Sequence, residues 1–380
     1  MNILVTGAQG FIGKNLIATL EAIRDGKDKS HGLTQGLNIL AYDLNTDPDL
    51  LGIYCQKADF VCHLAGVNRP KDAAEFMEGN FGFTSTLLET LKKYDNKAPM
   101  LITSSTQAMQ NNPYGRSKKA SEDLMFSYGD ETGVPVYIYR LPNAFGKWSR
   151  PNYNSAIATF CHNIARGLPI TITDRSTNLN LVYIDDIVTE IIRAIKGEAT
   201  RADTFCEVRP VHRTTLGEIA DWLHSFSKSR STLQVPQLDN PLVKKLYSTY
   251  LSFLPEDAFA YSLNTHADHR GSFTEVLRTT DRGQVSINIS KPGITKGNHW
   301  HHTKNEKFLV VQGQGIIRFR KIGEEKVIEY PVNGDELQVV DIPTGYTHNI
   351  ENLGKDNMVT LMWANEPFDP QKPDTFFEEI

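Results

Sequence analysis

Residues 2–16, NILVTGAQGFIGKNL, constrain the fold more than any other stretch. A short β-type run leads straight into Gly7, Gly10 and Gly13, and a helical pattern follows at once. Glycines at such a strand-to-helix turn let the backbone bend sharply and approach a pyrophosphate, which then rests on the free N–H groups of the helix terminus. The spacing is GxxGxxG rather than GxGxxG, so its weight comes from the strand before it and the helix after it.

The pattern continues. NILAY, DFVCHLAG, MLITSS and VYIYRL read as further strands, with helical stretches such as EFMEGNFGFTSTLLETLKKY between them. This alternation predicts a Rossmann-type, doubly wound α/β parallel sheet covered on both faces. After about residue 265 the texture changes to short strands with Gly, Pro and Asn turns, among them GQVSINIS, KFLVVQGQGIIRFRK, ELQVVDIP and MVTLMWAN. That predicts an antiparallel all-β module. We place the boundary after the Pro-punctuated connector, giving domains 1–255 and 256–380. A chain of 380 residues is long enough for two cores.

Charge and composition exclude some partners. The net charge is −5 with no basic block, so no nucleic-acid partner is expected. No apolar run approaches the roughly 20 residues of a membrane span, so no membrane partner is expected either. The first residues show no secretory pattern, and Cys55, Cys62, Cys161 and Cys206 form no CxxC pair. Both points are consistent with reduced thiols in a cytoplasmic protein.

Two groups of residues carry chemistry in the first half. Asp43 ends the second strand, where a carboxylate binds the ribose hydroxyls of NAD and repels the extra phosphate of NADP. Tyr114 and Lys118, in NPYGRSKKASEDL, are four apart and share a helix face. An ammonium beside a phenol lowers its pKa, so the pair can deliver a proton to a carbonyl oxygen as hydride arrives. The strand MLITSSTQ supplies hydroxyls at its carboxyl end, the crevice where open α/β sheets bind ligands.

With these residues in view, the first half resembles the extended short-chain dehydrogenase/reductases. The resemblance rests on TGAQGFIG, HLAG, TSSTQ, YGRSK, RLPNAFG and LVYIDDIV, spread over residues 1–230. It implies that Gly7, Gly10, Phe11, Ile12, Gly13, Asp43, Leu64, Ala65, Tyr114 and Lys118 bind NAD or NADP. It makes Ser105 the third catalytic residue beside Tyr114 and Lys118, with Ser104 and Thr106 as rivals. His63 is expected to satisfy backbone groups beside the cofactor. KWSRPNYNSAIATF lies where such enzymes hold the substrate nucleotide.

In the second half NHWHH crowds three histidines into five residues. His299 and His301 alternate and so face one side of a strand. Glu306 follows, and His348 lies on a later strand. Three imidazoles and a carboxylate suit a divalent first-row metal such as zinc. The stretch from Gly293 through His299, His301 and Glu306 to Gly313 is similar to the first cupin motif, and Pro343, Gly345, His348 and Asn352 to much of the second. DHRGSFTE and GITKGNHWHH also resemble nucleotide-sugar 3,5-epimerases, in which His299 would stand as base. A metal-bound nitrogen cannot also take a proton, so we assign His299 to the metal. That leaves Arg270 as a substrate-phosphate contact and Lys296 as a catalytic acid or base.

A reductase followed by an epimerase-like cupin resembles the CapF-type bifunctional enzymes of capsule and O-antigen synthesis. That resemblance spans the chain. It implies a UDP-linked 4-keto-6-deoxy-N-acetylhexosamine substrate, epimerised at carbon 3 and reduced at carbon 4 to UDP-N-acetyl-6-deoxy-L-talosamine, on the way to UDP-N-acetyl-L-fucosamine. It implies a homodimer and NADPH, although Asp43 favours NADH. The alternative is an NAD-dependent epimerase or dehydratase whose cupin only binds sugar.

Overall fold

The computed structural model describes residues 1–33 and 36–380. They form two compact units, residues 1–224 with 244–255, and residues 225–243 with 256–380. The segment 225–243 therefore groups with the second unit, not with the first as the sequence division placed it. The reason is backbone pairing: Val235 N–H donates to the Arg278 carbonyl at 2.8 Å, and Arg278 N–H to the Leu233 carbonyl at 2.8 Å.

In the first unit, strands β1 (Asn2–Thr6), β2 (Asn38–Tyr42), β3 (Phe60–His63), β4 (Met100–Ser105) and β5 (Val136–Leu141) lie in the order β2-β1-β3-β4-β5. All four contacts are parallel. The strands are short apolar runs because both faces are covered. Ile3, Val5, Leu16 and Leu20 pack in one layer, and Leu4, Val61, Leu88 and Met125 in the other. The order reverses between β1 and β3. A ligand therefore has its crevice at the carboxyl ends of these two strands.

The helical stretch after β3 contains one surprise. Ala74–Phe76 and Phe83–Lys93 are α-helical, but Met77–Gly82 between them is a π-turn. Such turns favour functional positions because they re-aim a side chain.

The two sheets of the second unit are antiparallel, as the texture of the sequence predicts. One sheet runs, in spatial order, Thr265–Asp268, Gly271–Arg278, Gln284–Ser290, Met358–Ala364, Glu306–Gln312 and Val339–Ile342. The other runs Val327–Asn333, Gln314–Lys321, Tyr346–Asn352, Thr295–Trp300 and Phe376–Phe377. Phe308, Val310, Ile317, Phe319, Val340 and Ile350 fill the space inside, each contributing roughly 1.5–3 kcal/mol by burial. Among the described residues no helix is long and apolar enough to cross a membrane.

Candidate functional sites in the two units

Gly7 takes φ +70°, and a Cβ there would lie 2.6 Å from the Ala65 nitrogen. Gly13 has no room either: its Cβ would meet the Gly7 carbonyl at 2.2 Å. Gly13 thus brings the helix Phe11–Arg24 hard against the turn at Gly7 and Ala8, and Gly7 brings that turn against Leu64 and Ala65. Gly10 caps this helix with no side chain covering its N–H groups, which leaves them open to a phosphate.

Asp43 braces this loop. Its carboxylate accepts from the backbone N–H of Gln9 at 2.7 Å and of Leu44 at 2.8 Å. The strand-end position read from the sequence is therefore coupled to the glycine turn itself.

Tyr114 and Lys118 sit on the helix Pro113–Thr132, started by Asn112, whose side chain accepts from Gly115 N–H at 2.7 Å. A Cβ on Gly115 would lie 2.3 Å from the Gln107 carbonyl. This glycine thus lets the helix press onto the turn that follows β4. Tyr114, Lys118 and Ser105 line one cavity of about 1080 Å³ together with Gly10, Phe11, Ile12 and Gly13. Ser149, Arg150 and Tyr153 of KWSRPNYNSAIATF line it too.

The Lys118 ammonium is buried and donates to the Thr103 carbonyl at 3.2 Å. Burial lowers its pKa to about 8, against the opposing charge of Glu122. Burial raises the Tyr114 phenol, and a hydrogen bond from Ser105 pulls it back. The phenol therefore stays protonated and available as a donor. The Ser105 hydroxyl also accepts from Gln107 N–H at 3.1 Å. Of its rivals, Ser104 donates to buried Glu122 at 2.6 Å, and Thr106 is exposed. Proton delivery from Tyr114 is expected to fall as pH rises through about 8, where the neighbouring Lys118 loses its charge. A plot of kcat/KM against pH checks this. A profile flat to about pH 10 would contradict it.

His63 departs from expectation in its partners. Its ring bonds the hydroxyls of Thr6 (2.7 Å) and Thr84 (2.9 Å), not backbone groups, and burial holds its pKa near about 3. It is a neutral strut between strand and helix.

Two supporting groups had no sequence motif. Asn80, on the π-turn, donates to Ser117 Oγ (2.9 Å) and accepts from Val67 N–H (2.9 Å). Its Oδ1 and the Lys118 ammonium would both crowd a Cβ on Gly66. Glu122 takes Ser104 and a two-pronged bond from Arg140 (2.9 and 2.7 Å). The repeat Tyr114, Lys118, Glu122 at four-residue spacing was the available signal for it.

In the second unit His299 and His348 face each other across paired strands, with ring centroids 4.5 Å apart. A bulge aims His299. Gly297 (φ +109°) and Asn298 (φ +57°) shift the register just before it. Glu306 Oε2 lies 3.3 Å from His348 Nε2 and 3.7 Å from His301 Nε2. One donor atom from each of the four residues lies within 4.8 Å of every other.

Several of these atoms, His301 Nε2, His348 Nε2 and Glu306 Oε2 among them, are buried with no hydrogen-bond partner. Buried polar atoms left bare cost about 1–3 kcal/mol each, so four convergent donors fit a cation. The His301 Nδ1 lies 2.5 Å from the Asp374 carbonyl, a bond that leaves Nε2 as the free acceptor. Asp374 also caps His302, Thr303 and Lys304 N–H at 3.0, 2.8 and 2.8 Å. Its distance along the chain hid it from motif reading. Burial pushes His299 down to about 4, helped by His348. Burial acts to raise Glu306, but His301 and His348 outweigh it and hold the carboxyl near about 2. His299 is thus held neutral beside an ionised Glu306.

Arg270 and Lys296 have partners of their own. Lys296 donates to Asn288 Oδ1 (2.7 Å) and the Ile289 carbonyl (2.9 Å). Arg270 forks onto Asp268 at 3.0 and 2.7 Å. Among the described residues no hydrogen bond or ion pair joins either to the four clustered side chains.

Comparison with known proteins follows this division. Residues 3–204 match the NAD dependent epimerase/dehydratase family, and residues 266–376 match the polysaccharide biosynthesis C-terminal domain. Over 376 residues the chain is 44% identical to the UDP-2-acetamido-2,6-beta-L-arabino-hexul-4-ose reductase of Pseudomonas aeruginosa, covering 99% of this chain and 98% of that one. The capsular polysaccharide assembling protein CapF from Staphylococcus aureus is 54% identical over 100% of both chains, with a TM-score of 0.93. A structure of CapF with the inhibitor 3-isopropenyl-tropolone is 50% identical over 100% of both chains, with a TM-score of 0.88.

Proposed function

The chain belongs to the NAD dependent epimerase/dehydratase family, and from that premise we propose that it is a two-site enzyme acting on a UDP-linked 2-acetamido-2,6-dideoxy-4-ketohexose. The first unit reduces the ketone at carbon 4. The second epimerises carbon 3 beforehand. The observation that carries this reading is the single cavity shared by the glycine loop, Ser105, Tyr114 and Lys118.

The residues divide the work. Bound NAD(P)H supplies the hydride. Tyr114 gives its phenolic proton to the carbon-4 oxygen as negative charge develops there. Lys118 makes the phenol a better donor by its charge, and Ser105 orients the carbonyl by hydrogen bonding. In the second unit His299, His301, Glu306 and His348 would hold a divalent metal such as zinc. When bound, such an ion supplies Lewis acidity toward the substrate's oxygen and so acidifies the proton at carbon 3. Lys296, with its pKa lowered by burial, is the candidate proton carrier, and Arg270 the candidate phosphate contact. Reduction removes the ketone, ends the acidity and fixes the new centre. The product on this reading is UDP-N-acetyl-6-deoxy-L-talosamine, and the resemblance to CapF-type enzymes makes a homodimer the expected assembly.

A dehydratase reading fits less well. Dehydratases use an Asp-Glu pair beside the catalytic Thr, and TSSTQAM carries none.

The test is turnover of the UDP-4-ketohexose with NADH and with NADPH, with NMR of the product. Oxidation of cofactor and a new carbon-4 hydroxyl support the proposal. No cofactor oxidation with any such keto-sugar sinks it. Asp43 should make NADH at least as good as NADPH, because its carboxylate, already anchored by Gln9 and Leu44, disfavours a second phosphate.

A further inference from the structure

The turn Gly146–Ser149, after the strand Asn143–Phe145, holds a tryptophan in an unfavourable conformation. Trp148 takes φ +67°, in the left-handed region that bulky residues avoid. The surroundings enforce it. Ser149 Oγ donates to the Gly146 carbonyl at 2.8 Å. The Lys147 carbonyl accepts from buried Asn15, on the helix behind the glycine loop, at 3.4 Å. The Lys147 ammonium pairs with Asp185. Yet the side chain so positioned does not pack into the core, for Trp148 is 54% exposed.

Its location suggests why. Trp148 lines the large cavity beside Gln9, Gly10 and Lys14. It also lines a groove of about 580 Å³ with Ile17, Ala18 and Glu21. Strain retained at a half-exposed aromatic residue marks a functional contact rather than a packing one. We propose that Trp148 is a cofactor-contacting residue, its indole closing over the diphosphate of a dinucleotide held by the glycine loop. A flat apolar ring there excludes water and strengthens the bonds from the helix N–H groups to the phosphates. The outer groove gives the ring space when cofactor enters or leaves. This inference rests on the reading of the first unit as an NAD(P)H site.

The test uses Trp148→Phe and Trp148→Gly in the full chain. Direct titration of NADPH and NADH fluorescence gives Kd, a parallel titration measures UDP, and melting measures the fold. Trp148→Gly should melt no lower than wild type, because glycine accepts this backbone without strain. It should nonetheless bind reduced cofactor about fivefold more weakly, the ratio for an aromatic contact of ordinary strength, with UDP affinity unchanged. Trp148→Phe should fall between. Cofactor also should shield wild-type emission from acrylamide, and this protection should vanish in both variants. Cofactor Kd within twofold of wild type in both variants, or a loss confined to UDP, overturns the inference alone. Failure of the wild type to bind either reduced cofactor overturns both it and the reading it rests on.

Discussion

Tyr114→Phe should lower carbon-4 reduction by about 10²–10⁴-fold, the usual worth of a positioned proton donor. The change removes one oxygen and keeps the ring that packs on Phe76, with centroids 5.5 Å apart, so the fold should hold. Cofactor should still bind, because the glycine loop and Lys118 are untouched. Most telling is what should remain. The keto-sugar should still exchange its carbon-3 proton with solvent deuterium, since the residues assigned to that step belong to the other unit. NMR of substrate incubated in deuterated buffer measures it. Loss of exchange in a folded, cofactor-binding variant would mean that the first unit carries all the chemistry.

The second large effect concerns the cluster His299, His301, Glu306 and His348. Protein purified without a histidine tag should hold about one divalent ion per chain. Stripping it with a chelator should lower the melting transition of the second unit by roughly 10 °C, the shift for about 4 kcal/mol of linked binding at a thousandfold excess over Kd. His301→Ala should do the same and abolish carbon-3 exchange, because it removes a ligand and also releases the Asp374 carbonyl that orients the ring. NADPH binding to the first unit should not change. Less than about a tenth of an equivalent of metal in a protein that still exchanges carbon 3 would contradict the assignment.

Periodicity explains which parts of the site were legible in the sequence. Tyr114 and Lys118 share a face because four residues make about one helical turn. His299 and His301 converge because strand side chains alternate. The glycine loop could be read because a Cβ at Gly7 or Gly13 meets backbone. What escaped depends on tertiary contact. The π-turn that aims Asn80 has no signature in EFMEGNFG. Asp374 reaches His301 from more than seventy residues along the chain. Lys296 lies just before the bulge at Gly297 and Asn298 and donates to Asn288 across the strands. The segment 225–243 read as part of the first domain because its pairing with Arg278 is a single bridge.

On the proposed function, one sugar undergoes two reactions in a fixed order. The most direct measurement is a single turnover of the UDP-linked 4-ketohexose by wild-type protein in deuterated buffer with unlabelled NAD(P)H, followed by NMR of the product. The account predicts deuterium at carbon 3 with inverted configuration, and protium from the cofactor at carbon 4. A reduced product that keeps its original carbon-3 proton and configuration would contradict it.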